Sequence, residues 1–198
     1  MVTPREKRHD LIRQKILDTS RTLIASRGLD SFSMRQLAEQ IDYSPSAIYK
    51  YFASKEDILQ AIRAEFWQKA SQQEPDLSHL TPPQRLISSG HSYLAFAEAY
   101  PEHYLLVFNS PALQPGGLDD MIQDPRFSGL IAIVRGGVEE GYFKLPEGYT
   151  PESMAIHLWV SVHGIVMLRF TIMKEHREEF SRLAEKIMID FINSFTVK

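Results

Sequence analysis

Between Ser33 and Lys55 the chain gathers hydroxyls and cations that can recognise a polyanion. Lys50 can donate to a guanine edge or to a phosphate. Pro45 and Ser46 are small enough to approach base edges or a thymine methyl. Ser33, Ser44, Tyr49 and Tyr51 can offer hydroxyl bonds to phosphate oxygens, as can amides at helix starts. Arg35 belongs to the same set, and Lys55 is placed to grip a sugar-phosphate backbone beside a groove. This chemistry positions and reads a ligand; it breaks no bond.

A second constellation lies near the other end. His157, Ser161, His163 and Arg169 fall within one apolar stretch, and His157 and Ser161 are four residues apart. They suit nucleophilic or metal chemistry only in part. There is no HExxH spacing and no evident acidic partner, so catalytic and metal sites are expected to be absent. Hydrogen-bonded core histidines are the plainer reading, with His163 open to a pocket-lining or packing role and Gly164 permitting close helix approach. Tyr93, Phe96, Tyr100, Tyr104 and Phe108 recur at near-helical intervals. Most of this series should pack a core. A small-molecule cavity in such a bundle would be lined by them together with Phe127, Trp159, His163 and Met167. Gly116-Gly117, Gly136-Gly137 and Gly141 match no phosphate-loop spacing and read as turns or helix ends.

The elements that must hold these residues are helices. Ile12, Ile16, Leu17, Leu23 and Ile24 give a helical period over 7–27, which Gly28 ends. Ser33 and Gln36 have capping-box spacing ahead of a short helix through Leu37, Ala38 and Ile41. Asp42-Tyr43 make the turn. Ser44 caps a helix over 45–52 with Pro45 at its first position. Two short helices and a tight turn make a helix-turn-helix. On a helical wheel Ile48 and Phe52 share one side of the second helix, while Ser46 and Lys50 lie roughly opposite. An apolar back and a basic, polar front suit insertion into a major groove. Ser54 then starts a fourth helix that fades before Pro75. After a linker at 75–83, helices are predicted at 83–99, 102–109, 124–140, 152–174 and 177–195, with loops at 110–120 and 144–151. The fold class is all-α, with about nine helices.

Bulk properties agree. The 198 residues include no cysteine, which excludes disulfides and thiolate metal sites and fits a cytoplasmic location. The charged N-terminus does not read as a signal peptide. Residues 155–173 are apolar over nearly a membrane's thickness, but Arg169 would be costly in lipid, so a buried bundle or dimer helix is expected and no membrane partner. Net charge is −3, unevenly spread. Residues 1–55 hold ten Lys/Arg against six Asp/Glu, net +4, and the remainder twelve against nineteen, net −7. A basic head on an acidic body suits contact with a polyanion at one end.

The run Ser33-Met-Arg-Gln-Leu-Ala-Glu-Gln-Ile-Asp-Tyr-Ser-Pro-Ser-Ala-Ile-Tyr-Lys-Tyr-Phe-Ala-Ser-Lys-Glu-Asp-Ile-Leu59 resembles the signature of the tetracycline-repressor (TetR) family. Residues 10–60 match its pattern almost throughout; Asp42 stands where the family usually has glycine. Trp159-Val-Ser-Val-His163-Gly164 also resembles the tryptophan-histidine-glycine element of one C-terminal subfamily. The resemblance implies a ligand-responsive transcriptional regulator, usually a repressor. Its DNA-binding domain would span 1–54, and its effector-binding and dimerisation domain 55–198. It implies a homodimer through 152–174 and 177–195, a palindromic double-stranded DNA operator, a small-molecule effector, no cofactor and no enzymatic activity. A small helical enzyme, or an adaptor that binds DNA without sequence preference, is the competing reading.

Overall fold

A computed structural model of the protein describes residues 3–72, 76–109 and 117–197. Among them the elements are helices, with a single antiparallel bridge between Phe143 and Thr196. The all-α expectation holds.

Local sequence sets most helix starts. Helix α1 (Pro4–Arg27) begins three residues earlier than its apolar period indicates. Thr3 and Glu6 close a capping box there: the Glu6 amide donates to the Thr3 hydroxyl, and the Thr3 amide donates to the Glu6 carboxylate at 2.7 Å. Helix α2 (Met34–Gln40) has half of its expected box. Ser33 Oγ accepts the Gln36 amide at 3.3 Å, but the reciprocal bond is not formed among the described residues. Asp42 then takes φ +61°, the left-handed backbone conformation that glycine adopts most readily and aspartate tolerates. Helix α3 (Pro45–Ile48) starts on Ser44, whose hydroxyl accepts the Ala47 amide. It is shorter than the predicted 45–52. Beyond Ile48 the amides of Lys50 and Tyr51 bond three residues back rather than four, a 3₁₀-type tightening common at helix ends. Helix α4 (Lys55–Gln72) follows, its first turn fixed by Ser54 and Asp57.

The chain forms two compact units, residues 1–72 with 100–114 and residues 73–99 with 115–198. The first holds α1–α4 and, after an excursion, α6 (Pro101–Asn109). Its core is Ile16, Leu17, Leu37, Ile48, Ile58, Leu59 and Ile62, joined by Leu106 of α6. Arg21 is buried in α1 and ties it to α4 through Glu65 at 2.6 Å, with Asp18 as second partner. A buried arginine is tolerable only when so paired.

The second unit contains α5 (Pro82–Ala99), α7 (Leu118–Gln123), α8 (Pro125–Glu139), α9 (Pro151–Phe170) and α10 (Arg177–Ser194). Leu86, Ile131, Val134, Met154, Leu158, Met188 and Ile192 form its core. Two glycines set close approaches that the sequence did not reveal. A Cβ at Gly90 would stand 2.3 Å from Met188 Sδ, and one at Gly137 would stand 2.2 Å from the Phe143 ring. Gly137 is therefore a packing glycine inside α8 rather than a turn. At Gly164, by contrast, an added Cβ meets nothing within 4 Å.

Further boundaries differ from prediction. Helix α7 occupies part of the expected 110–120 loop; residues 110–116, including Gly116, lie outside the described residues. The 75–83 linker ends earlier, at Pro82, and its residue 75 is likewise outside. Helix α9 stops at Phe170, not 174, because Thr171 leaves helical geometry (φ −115°, ψ −93°), and a 3₁₀ turn at Lys174–His176 leads into α10. Helix α9 is long and apolar enough to cross a bilayer by composition, yet it buries Met154, Leu158 and Ile165 in the second unit and pairs Arg169 with Glu98. Val160 and Leu168 remain exposed, so only part of the expected buried helix is covered within one chain.

Candidate functional site

The helix-turn-helix is built as the wheel requires. Ile48 is fully buried and Phe52 nearly so, both within the core of the first unit. Pro45, Ser46 and Lys50 are exposed, and Tyr49 is 53% exposed. Lys50 makes no hydrogen bond or ion pair among the described residues, so its ammonium is available to an incoming acceptor. Ser46 Oγ lies 3.0 Å from Ser44 Oγ, within reach of solvent. The surface thus presents an ammonium, hydroxyls and a phenol around a short rigid helix. That set can bond base edges and phosphates.

The flanking candidates are placed unequally. Arg35 is exposed on α2 and pairs with Glu39 at 3.0 Å, an (i, i+4) contact that water can replace. Ser33 and Ser44 are both engaged as helix caps, so each can lend a second lone pair or its O–H only at its own helix start. Tyr51 is half-buried against the core. Lys55 is turned inward: its Nζ donates to the Leu29 carbonyl at 2.7 Å and stands 5.6 Å from the centre of the Phe32 ring. Its contacts within the first unit are those of a structural clamp between α4 and the loop before α2. Lys15 makes a similar contact, reaching the Ile41 carbonyl at the end of α2 at 3.4 Å.

The aromatic series is divided between Ala99 and Tyr100. Tyr93 and Phe96 lie on α5 in the second unit. Tyr100, Tyr104 and Phe108 belong to the first, where Tyr104 and Phe108 pack at 4.6 Å between ring centres and both meet Phe66 of α4 edge-on. Tyr100 holds Lys69 4.9 Å above its ring. Next to it, His103 has its pKa lowered to about 4, chiefly by burial and then by the nearby Arg21 and Lys69 charges. Its buried Nε2 has no hydrogen-bond partner among the described residues. Sequence periodicity gave no sign of this group.

Within the second unit a cavity of about 80 Å³ opens among α5, α8, α9 and α10. Tyr93 and Trp159 line it, with Gly90, Leu130, Val162 and Met188. His163 adjoins through its neighbours: its ring stacks on Trp159 at 4.9 Å, and its Nδ1 lies 3.2 Å from Tyr93 Oη. Burial lowers the His163 pKa, which favours a neutral ring that can accept from the phenol. Phe127 touches Trp159 edge-on at 6.4 Å. Phe96 is buried and Met167 half-buried in the same unit, and neither is among the lining side chains. Ser161 Oγ donates to the His157 carbonyl, while the His157 ring faces Tyr149 Oη at 3.2 Å. The two side chains therefore do not form a nucleophile–base pair. No group of three or more potential metal ligands occurs among the described residues.

With this geometry in place, likeness to known proteins becomes informative. Residues 16–62 match the family described as bacterial regulatory proteins, tetR family. Residues 86–188, more than half of the chain, match the tetracyclin repressor-like C-terminal domain. Placement in a Trp-His-Gly subfamily stands only on Trp159, His163 and Gly164. The HTH-type transcriptional repressor KstR2 of Mycobacterium tuberculosis is 24% identical over 147 residues, 67% of this chain and 69% of that one. Two solved structures share the fold. A transcriptional regulator from Saccharomonospora viridis in complex with choline has TM-score 0.71 at 21% identity, covering 96% of this chain and 100% of its own. FadR from Bacillus subtilis in complex with stearoyl-CoA has TM-score 0.68 at 18% identity, covering 90% and 96%. The chain belongs to the tetR family of bacterial regulatory proteins, and it is a DNA-binding transcriptional regulator.

Proposed function

We propose that the protein is a cytoplasmic repressor that leaves a palindromic operator when a small molecule occupies its C-terminal segment. Residues 1–54 carry DNA contact in this reading, and 55–198 carry effector binding and dimerisation. The observation that carries it is the two-sided segment 45–52: Ile48 and Phe52 buried, Ser46, Tyr49 and Lys50 outward. Pro45 and Ser46 approach bases, Lys50 reads a base edge, and Ser33, Arg35, Ser44, Tyr49 and Tyr51 serve phosphates. Lys55 reaches a phosphate only by giving up its bond to the Leu29 carbonyl. The repressor sense follows KstR2, and small-molecule control follows the choline and stearoyl-CoA complexes of the structural relatives.

Dimerisation through α9 and α10 is supported by what a single chain leaves uncovered. Val160 and Leu168 on α9, eight residues apart, and Leu183 and Ile187 on α10, four apart, are exposed at spacings that repeat on one helix face. Two-fold pairing would cover them, and two recognition helices entering successive major grooves would stand about 34–36 Å apart, one helical turn of DNA. An effector releases DNA only if it binds the DNA-incompetent arrangement more tightly. Tyr93, Trp159 and His163 border the cavity proposed to receive it.

Competition binding tests the reading. A duplex selected by the protein from fragmented genomic DNA should outcompete scrambled duplex by about a thousandfold or more. Equal affinity for both would instead favour the adaptor without sequence preference. Val160→Glu with Leu183→Glu should turn a dimer into a monomer in sedimentation; a monomeric wild type would remove the two-headed mechanism.

A further inference from the structure

Helix α1 overhangs the head it belongs to. Residues 3–11 are all exposed, and burial begins only with Ile12 and Ile16. The first turns are nonetheless well fixed. The Thr3–Glu6 capping box closes the helix start, and two contacts join α1 to the end of the recognition segment: the His9 ring lies 4.8 Å from the Tyr51 ring, and the Arg13 guanidinium lies 5.0 Å from the centre of the Phe52 ring. His9 and Arg13 are four apart, so one face of α1 abuts residues 51–52. Arg5 is four residues earlier on that face, about 6 Å further along the axis, and Arg8 is beside it. On a helical wheel Arg5, Arg8 and His9 span roughly 100°, whereas Lys7 points away. The two acids among them are already occupied: Glu6 accepts both Thr3 bonds, and Asp10 is 3.6 Å from His9 Nδ1.

We infer that the overhanging start of α1 is a second nucleic-acid contact, in which Arg5 and Arg8 hold phosphates of the double-stranded DNA flanking the groove that residues 45–52 enter. This rests on the proposed role of that segment. The reason is geometric. A duplex that meets exposed Ser46 and Lys50 continues past the Tyr51 end of the same segment, and the groove is bordered by phosphates. Two guanidiniums standing there, Arg8 beside the tilted His9–Tyr51 ring contact and Arg5 a turn beyond it, meet that border. The helix dipole is not needed, since the guanidiniums carry the charge themselves. Guanidinium pairs well with phosphate oxygens and reads no base. The overhang therefore adds affinity without adding sequence preference. His9 and Tyr51 act as its positioning residues.

The test measures binding to the selected duplex and to a scrambled duplex of the same length, between about 50 and 200 mM salt. Arg5→Ala with Arg8→Ala should weaken both duplexes by the same factor and lower the salt slope by about two per head. Lys7→Ala removes the same charge from another face and should leave the slope within about half a unit of wild type. His9→Phe keeps a ring against Tyr51 and should bind like wild type; His9→Ala should lose part of the overhang's effect. All four positions are exposed, and an unchanged thermal midpoint verifies folding. An unchanged slope in the double variant, or a loss confined to the selected duplex, overturns the inference. So does an equal loss with Lys7→Ala. A wild type that binds neither duplex at low salt would sink the DNA-binding role itself, whereas a wild type with normal affinity beside an unaffected double variant sinks only the overhang.

Discussion

The two units hold their polar groups at different depths. In the first, apolar side chains fill the core and the polar groups around residues 44–50 are turned outward; Arg21 is the charged group kept inside, and it is paired with Glu65 and Asp18. In the second, no charged or polar residue is fully buried among the described residues, and partly exposed groups pair instead: Tyr93 meets His163 beside the cavity, and Arg169 meets Glu98 across α9 and α5. A rigid apolar interior suits a surface that must hold a fixed shape against DNA. A cavity bordered by partly exposed polar groups suits a compartment that must admit something.

That contrast can be broken by mutation. The largest effect is expected for Ile48→Ala, which leaves a cavity beneath the recognition segment and should cost about 2–5 kcal/mol in urea or thermal unfolding. A loss under about 1 kcal/mol would mean that the head core is as adaptable as the second unit. Gly90→Ala comes next. Its Cβ collides with Met188 Sδ, so the flexible thioether must swing into the cavity. The expected cost is about 1–3 kcal/mol, with weaker uptake of any ligand found by thermal-shift screening. An unchanged stability and ligand response would show that the void is not occupied. Tyr93→Phe removes one partner of His163 and should cost about 1 kcal/mol, detectable as a shift in the chemical midpoint without change in the slope m.

The smallest effect is the pH dependence. His103 is neutral in the folded chain down to about pH 4, against an ordinary value of 6.5, and burial lowers His163 in the same direction. The unfolded chain therefore takes up protons first. Stability should be level above 6.5 and decline as pH falls from 6.5 toward 4. His103→Leu should flatten part of that decline in thermal midpoints measured across the range. A decline of the same steepness in the variant would assign it to other groups.

The contrast also explains what could be read without a structure. Ser44, Pro45, Ser54 and Asp42 act on neighbours within four residues, so capping and turn chemistry expose them in the sequence. Ile48 and Phe52 follow from the helical period. Thr3 and Glu6 had the same legibility, but the apolar period that defines α1 begins after them. The second unit depends on distant pairs. Gly90 and Met188 are 98 positions apart, Tyr93 and His163 are 70, and nothing local marks either. The aromatic series crosses the passage from one unit to the other between Ala99 and Tyr100, and spacing alone does not mark that Tyr93 and Tyr104 fall in different units. Lys55 had the right position in the sequence for a phosphate, but a carbonyl at Leu29 and the Phe32 ring compete for its charge.

The central claim is that residues 45–52 read DNA with the face that Lys50 shares. Its most direct test is the ratio of affinities for the selected and scrambled duplexes, measured for wild type and Lys50→Ala at one salt concentration. The account predicts that the ratio falls by about 1–3 kcal/mol, roughly fivefold to more than a hundredfold, while the head unfolds at the wild-type temperature. A ratio equal to that of wild type would contradict it.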